Sequence, residues 1–424
     1  MRLLYSALLY LLAPFLLLRL FWHGLTLREY WRRIPERFGR VAAVQGGVAV
    51  WVHAVSVGEA IAAMPLIKHL VATHPPHSVL VTTTTPTGSA RVQEALGASV
   101  LHSYAPYDLP HAVNRFLQRV RPARVIVMET ELWPNLFYAL SRRKVPLVIA
   151  NGRLSPQSFP RYLRLPGFTA GVLAQCSVIA AQSQADADRF LALGAPASRV
   201  RVMGNLKFDI ELPAALIARG RELRERLGAQ RPVWVAASTH EGEEQAVLDA
   251  HIILRRSFPD AVLILVPRHP QRFDAVARMI ERSGLAFVRR STLEDLAALP
   301  DSSLSSPVLL GDSMGELVLF LATADVAFVG GSLVPVGGHN VLEPAALGVP
   351  VLFGPHMFNF DPARELLLDC EAARQIGGAR DLAPMIESLL KDAALRTRMG
   401  LAGKKAVSDN RGALRRLLDL IETA

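Results

Sequence analysis

The chain has 424 residues, more than one compact core usually holds, so two domains of about 200 residues each are expected. Hydrophobic residues at 51% and charged residues at 20% exclude wholesale disorder, and only two cysteines, Cys176 and Cys370, exclude a disulfide framework or a cysteine-built zinc site. A net charge of +10 asks for an anionic partner: nucleic acid, acidic lipid or a phosphorylated substrate.

Residues 3–18 carry no charged side chain, and Leu20, Phe21 and Trp22 extend the apolar run past Arg19. That is about 20 residues, enough to span a bilayer as a helix. Pro14 would kink it, Arg19 can snorkel, and Trp22 suits an interface. Arg28, Arg32, Arg33, Arg37 and Arg40 follow, so seven arginines face two glutamates in the first 40 residues. This net +5 is half of the whole surplus. The expectation is an uncleaved membrane anchor over residues 1–22 and a basic membrane-proximal segment over 23–47, held by anionic inner-membrane lipids with the body in the cytoplasm. Whether the anchor spans or lies in one leaflet stays open. A cleaved signal peptide fits less well, because the n-region is the single Arg2, no small-residue cleavage site follows, and the flank is strongly basic. RNA binding also fits less well, since aromatic and basic residues are not interleaved; no nucleic-acid partner is expected.

From residue 48 short apolar runs alternate with amphipathic stretches. Residues 48–53, 78–83, 124–128, 145–150 and 178–181 read as buried strands, with helices between them such as the one carrying Ile61, Met64, Ile67 and Leu70. The pattern breaks at 209–218 and restarts with strands at 233–237, 261–266, 286–289, 308–310, 326–329 and 351–353. Helices are expected at 244–255, 273–282 and, broken near 410–412, over 380–423. This is the signature of parallel sheets with crossover helices. Two doubly wound α/β domains across a cleft are expected, 48–210 and 231–424, with a linker at 211–230 and terminal helices able to pack back on the first domain. Ligands in such sheets bind at the carboxyl ends of strands.

Several motifs stand at those ends. In His53-Ala-Val-Ser56-Val-Gly58-Glu59, Gly58 is expected to give a tight turn and Ser56 to cap a helix. Glu59 then sits in the first helical turn, where it either complements the helix dipole or acts as a base. The dipole would lower its pKa unless burial offsets it. In Met128-Glu129-Thr130-Glu131-Leu-Trp133, one acid can cap the next helix and the other can face the cleft. Lys207, in Gly204-Asn205-Leu206-Lys207, is a candidate anion binder or a solvated linker residue. In the second half, the hydroxyls and amides of Ser238-Thr239-His240-Glu241-Gly242-Glu243 form a candidate anion cradle. Pro267-Arg268-His269-Pro270 holds Arg268 rigidly enough for a phosphate clamp. Gly330-Gly331-Ser332 and Gly337-Gly338-His339-Asn340-Val-Leu-Glu343 bring glycines that permit close backbone approach to a ligand, a helix-start Asn340, and a Glu343 able to accept both hydroxyls of a ribose. Together these favour a nucleotide. No Walker A sequence exists and no GxGxxG follows the first strand, which disfavours ATP hydrolysis and dinucleotide redox chemistry.

The chain resembles the 3-deoxy-D-manno-octulosonic acid (Kdo) transferases of lipopolysaccharide assembly, which have the GT-B glycosyltransferase fold. The likeness runs through ERFG, HAVSVGE, TTTTPTGS, YAPYDLP, METELWPN, VIANGRLS, GNLKFD, STHEGEE, LVPRHP, GDSMGEL, FVGGSLV, GGHNVLEP and GPHMFNF. The resemblance implies inverting transfer of Kdo from CMP-Kdo to a lipid A precursor, with release of CMP. It implies Glu59 as general base and Glu129 and Lys207 as stabilisers of an oxocarbenium-like transition state that carries the sugar's carboxylate. It implies a CMP site of Pro267, Arg268, Met314, Gly315, Glu316, Asn340, Val341, Leu342 and Glu343. A single leaving-group phosphate can be neutralised by Arg268 and helix-start amides, so no metal or other cofactor is expected. The competing readings are another GT-B-like nucleotide-sugar enzyme, such as an epimerase, and an anchored two-lobed binding protein.

Overall fold

A computed structural model describes residues 1–293 and 306–423. The chain divides into two compact units, Met1–Asp209 with Asn410–Ala424, and Ile210–Asp409.

The first unit is built on seven parallel strands: β1 Val48–His53, β2 Val79–Thr83, β3 Leu101–Tyr104, β4 Pro122–Met128, β5 Leu147–Gly152, β6 Val178–Ala181 and β7 Val200–Val202. Their order is β3-β2-β1-β4-β5-β6-β7, so β1 is the strand from which the chain winds both ways. Both faces of the sheet are covered, which is why its strands read as unbroken apolar runs. Trp51, Phe116 and Phe137 fill one layer, and Val52, Leu66 and Ile67 the other. Ala413, Leu417 and Ile421 of the last helix complete the second layer. That helix is tied down where the Gly412 amide donates to Asp209 (2.6 Å) and Arg416 Nε donates to the Met203 carbonyl (2.6 Å).

The second unit repeats the plan with β8 Val233–Thr239, β9 Val262–Pro267, β10 Phe287–Arg289, β11 Val308–Leu310, β12 Val326–Val329, β13 Val351–Phe353 and β14 Ala373–Gln375. The order β10-β11-β9-β8-β12-β13-β14 places its reversal between β8 and β12. Residues 211–230, expected as a linker, contain the helix Ala214–Leu227. It lies so close to the helix Leu317–Leu321 that a Cβ on Gly220 would stand 2.4 Å from the Leu319 carbonyl oxygen.

The N-terminal apolar run forms one helix, α1 (Arg2–Thr26), continuous through Pro14. Leu3, Leu4, Leu11, Phe15 and Trp22 are exposed, while Ser6 and Leu20 are buried. Its first turns are fastened to the body by polar contacts. Tyr5 donates to Asp108 (3.1 Å), Ser6 donates to Asn135 (2.9 Å), and Tyr10 OH meets His111 Nδ1 at 2.7 Å. Asp108 also accepts from the Asn135 and Leu136 amides, so it caps the helix Pro134–Arg142 that α1 rests on.

The basic segment behaves differently from the expected lipid-facing belt. Arg37 is 3% exposed and lies 4.2 Å over the Tyr104 ring, and Arg33 pairs with Glu36 (2.8 Å) and donates to the His102 carbonyl (2.9 Å). A guanidinium buries well against an aromatic face. Arg28, Arg32 and Arg40 remain exposed.

Candidate active site

In the first unit three chain segments converge at the carboxyl ends of β1, β4 and β7. After β1, Ser56 caps the helix α2 (Val57–Thr73) by accepting from the Glu59 amide (3.2 Å). The Glu59 carboxylate turns back to accept from the Val55 amide (2.7 Å) and the Ser56 hydroxyl (2.9 Å). Gly58 is therefore a helical residue and makes no tight turn; a Cβ there would meet only Ser56 Oγ, at 3.8 Å. Glu59 is 6% exposed. The tie to its own turn is a structural role beside the dipole complementation weighed from the sequence. Burial pushes the carboxyl up to about 8, and Glu129 and Glu131 push the same way, against the Val55 and Ser56 hydrogen bonds. Desolvation outweighs the helix field here.

After β4, Glu129 takes φ +54°, the left-handed region, while its amide donates to the Ala150 carbonyl (2.9 Å). Holding a non-glycine residue there costs about 1–3 kcal/mol. Glu131 accepts from the Trp133 indole (3.0 Å), so neither acid caps the next helix; Asp108 does. After β7, the Leu206–Phe208 turn is fixed by two asparagines. Asn205 accepts from the Lys207 amide (3.0 Å) and the fully buried Asn151 accepts from the Leu206 amide (3.0 Å). Burial holds the Lys207 ammonium below the usual lysine range, with Arg153 adding to that and the Glu129 and Glu59 charges opposing it. Glu59, Glu129 and Lys207 are thus close enough to sense one another's charge. Asn151, whose φ is +55°, was visible in the sequence only inside a longer motif.

His53 ends β1 fully buried, with Nδ1 at 2.9 Å from the Thr82 hydroxyl and burial pushing it down to about 3. It is a neutral core histidine.

In the second unit the expected anion cradle is filled by the protein's own side chain. The fully buried Glu243 carboxylate accepts from four amides: His240 (2.9 Å), Gly331 (2.7 Å), Ser332 (3.0 Å) and Leu333 (2.9 Å). Gly330 is required for that closure, because a Cβ would lie 2.7 Å from the Ser238 carbonyl oxygen and 2.8 Å from Glu243 Oε2. The glycine-rich turn accommodates the protein's own carboxylate rather than a ligand's approach. Next to it, β8 shifts register between Ala237 and Thr239, with Ser238 at φ +56°, and this irregularity aims His240.

Beside that knot lie Arg268 and three histidines whose rings burial and the Arg268 charge hold toward the neutral form. His240 and His339 stack with ring centroids 4.9 Å apart and meet Nε2 to Nε2 at 2.7 Å, so one nitrogen carries the proton and the other accepts it. His269 stands edge-on to His240 at 5.1 Å. Burial, then the charge of Arg268 and the neighbouring histidines, push His339 down to about 3. Burial raises the Glu343 carboxyl, opposed by the Asn340 hydrogen bond (3.0 Å) and by Arg268. Asn340 also accepts from the Leu342 amide (3.1 Å), while Val341 and Leu342 are buried at the start of the helix Leu342–Leu347. Pro267 closes β9, and the Arg268 amide donates to the Thr239 carbonyl (2.9 Å). Arg268, Asn340 and Glu343 are therefore brought together, with His240, His269 and His339 beside them; of these the sequence had offered only His269, as a core histidine or a second phosphate donor.

Met314, Gly315 and Glu316 follow β11. Met314 is exposed and Gly315 turns the chain at φ +83°. The Glu316 carboxylate is engaged: Arg290 grips it with two hydrogen bonds (2.8 and 3.0 Å) and Ser313 donates at 2.6 Å. Burial alone would raise it, but these partners hold it below the usual carboxylate range. Glu316 secures the loop that presents Met314 and Gly315.

Residues 32–210 match the family model described as 3-deoxy-D-manno-octulosonic-acid transferase (kdotransferase). The 3-deoxy-D-manno-octulosonic acid transferase of Haemophilus influenzae is 42% identical over 99% of this chain and 98% of its own. The chain belongs to the Kdo transferase family. The enzyme of the same name from Bordetella pertussis is 38% identical over 92% of this chain and 91% of its own. Among solved structures, the UDP-GlcNAc 2-epimerase of Neisseria meningitidis aligns with 89% of this chain and 100% of its own at a TM-score of 0.54, with 14% identity, a likeness of fold alone. The transferase is thus a GT-B-like glycosyltransferase of lipopolysaccharide biosynthesis, with two parallel α/β sheets and an N-terminal apolar helix suited to anchoring. All eleven strands expected from sequence are present to within two residues, whereas β3, β7 and β14, short strands at sheet edges, were not among them.

Proposed function

We propose that this Kdo transferase uses CMP-Kdo as donor and a lipid A precursor of the lipid IVA type as acceptor. The observation that carries the reading is the Glu59 carboxyl, buried beside Glu129 and Lys207 and raised toward neutrality. The acceptor hydroxyl gives its proton to Glu59 as its oxygen bonds to the anomeric carbon. The bond from that carbon to the phosphate oxygen breaks, its electron pair leaves with CMP, and the configuration inverts. Lys207 holds the sugar carboxylate, and Glu129 offsets positive charge developing on the ring. CMP sits with its phosphate at Arg268 and the adjoining histidines, its ribose at Glu343, and its base near Met314 and Gly315. Residues 48–210 serve the acceptor and 231–424 the donor.

The helix α1 supports a single-leaflet anchor on the cytoplasmic face of the inner membrane. It is held to the body at Tyr5, Ser6 and Tyr10, and Leu20, roughly 20 Å further along, is buried as well. A helix pinned along that length presents one apolar face to lipid rather than crossing it. The test is CMP release from CMP-Kdo with and without lipid acceptor, with products weighed. Release that needs no acceptor, or isomerised sugar, overturns the assignment.

Arg268→Ala is expected to raise the donor KM by roughly 10- to 100-fold, the range of a lost charge-assisted phosphate contact of about 1.5–3 kcal/mol. Initial rates against CMP-Kdo check this, and an unchanged donor KM removes Arg268 from the phosphate site.

A further inference from the structure

Away from both clusters, a cavity of about 660 Å³ opens in the first unit between α1 and the helices Pro110–Val120 and Pro134–Arg142. Three arginines line it, Arg2 from α1 and Arg142 and Arg143 from the far end of the helix Pro134–Arg142, and no acid does. The arginines are posed rather than scattered. Arg2 lies 3.8 Å over the Tyr138 ring and donates to Asn135 (3.3 Å), and Arg143 donates to Asn114 (2.9 Å). The Arg142 side chain is exposed and makes no hydrogen bond or ion pair among the described residues. Leu3, 76% exposed, stands at the rim, and Leu4 and Leu11 continue the apolar surface of α1 beyond it.

A cavity with arginines around its opening and an apolar lip has the two halves of a phospholipid's chemistry. The arginines suit a phosphodiester, which guanidinium binds through paired hydrogen bonds. The lip suits the first methylenes of the acyl chains. We propose that this cavity holds the headgroup of an anionic phospholipid from the leaflet in which α1 lies. The proposal rests on the in-plane reading of α1, and it makes the anchor selective: the apolar face supplies partitioning, and the cavity supplies preference for an anionic headgroup.

Flotation of the full chain with vesicles separates these two parts. Vesicles of phosphatidylcholine alone are compared with phosphatidylcholine containing phosphatidylglycerol, for the parent, for Arg142→Glu, and for Arg142→Glu with Arg143→Glu. The control is Arg28→Glu with Arg32→Glu, the same charge change on exposed arginines outside the cavity. The expected result is that the parent prefers phosphatidylglycerol vesicles and that the cavity variants lose roughly tenfold or more of that preference. They should still float on both compositions, and the control should keep most of the preference. Native mass spectrometry of the detergent-solubilised chain should show one retained phosphatidylglycerol that the cavity variants lack. Equal losses in the cavity variants and the control would reduce the effect to general surface charge and overturn the site. Displacement of the retained lipid by inorganic phosphate, or by lipid IVA at stoichiometric amounts, would make it a free-anion or acceptor site and overturn it equally. A parent that does not float at all overturns the membrane reading of α1 and the cavity with it. None of these readouts uses turnover, so failure of the transferase assignment is scored separately.

Discussion

Glu59→Gln lowers turnover by roughly 10²- to 10⁴-fold, the contribution of a positioned general base, with CMP affinity unchanged. The substitution is nearly isosteric. A glutamine oxygen can still accept from the Val55 amide and its NH₂ can donate to Ser56, so the start of α2 survives. Two pH measurements separate a base from a mere cap. With the carboxyl raised to about 8, the parent's kcat/KM should climb as pH rises through that value, because only the ionised form accepts the acceptor's proton. Stability moves the other way. A carboxyl whose folded pKa lies above its unfolded value favours the protonated folded state, so its contribution is full below the ordinary range near 4.5 and fades as pH rises through about 8. The glutamine variant lacks that penalty and should gain melting temperature relative to the parent above pH 8. Normal turnover in Glu59→Gln, or a parent profile flat across that pH range, removes Glu59 as the base.

The strands were legible because parallel sheets bury both faces, and an apolar run such as residues 125–128, every one of them fully buried, has no other stable place to go. The candidate-site positions were legible for a related reason: a doubly wound sheet gathers strand-end residues along one edge, so motifs far apart in sequence stand near one another. Glu59 and Glu129 follow adjacent strands, β1 and β4.

What each motif does was less legible, because that depends on partners the local pattern does not contain. The helix field at Glu59 could be read from sequence, but the desolvation that overrides it is a property of the assembled unit. Arg33 and Arg37 read as part of a lipid-facing belt until Tyr104 and His102, some 70 residues on, provide a ring and a carbonyl for them. Glu129 and Ser238 adopt left-handed backbone conformations at strand ends that no residue preference announces, whereas Asn151 does so as one of the few non-glycine types that tolerates it. The pairing of His240 with His339 spans 99 residues and was equally hidden.

Glu243→Gln tests the largest of these hidden contacts and should be among the most destabilising single changes in the second unit. The carboxylate divides its work evenly: one oxygen serves the Ser332 and Leu333 amides and the other serves His240 and Gly331. Glutamine keeps one oxygen and turns an NH₂ toward the other pair of donors, leaving one buried and one partly buried N–H group without an acceptor. At about 1–3 kcal/mol for each, the expected loss is about 2–6 kcal/mol, read from denaturant midpoints of the full chain. Glu244→Gln provides the scale. Glu244 is equally buried but faces Arg272, which can still donate to a glutamine oxygen, so its cost should be smaller. The binding readout should follow stability in order. Loosening Glu243 frees the turn at 331–333 from the end of β8, separating His240 from His339 and weakening CMP binding well before the sheet itself melts. A Glu243→Gln protein with the parent's denaturant midpoint and CMP affinity would mean that the four amides find other acceptors. The knot would then not be what shapes the proposed donor pocket.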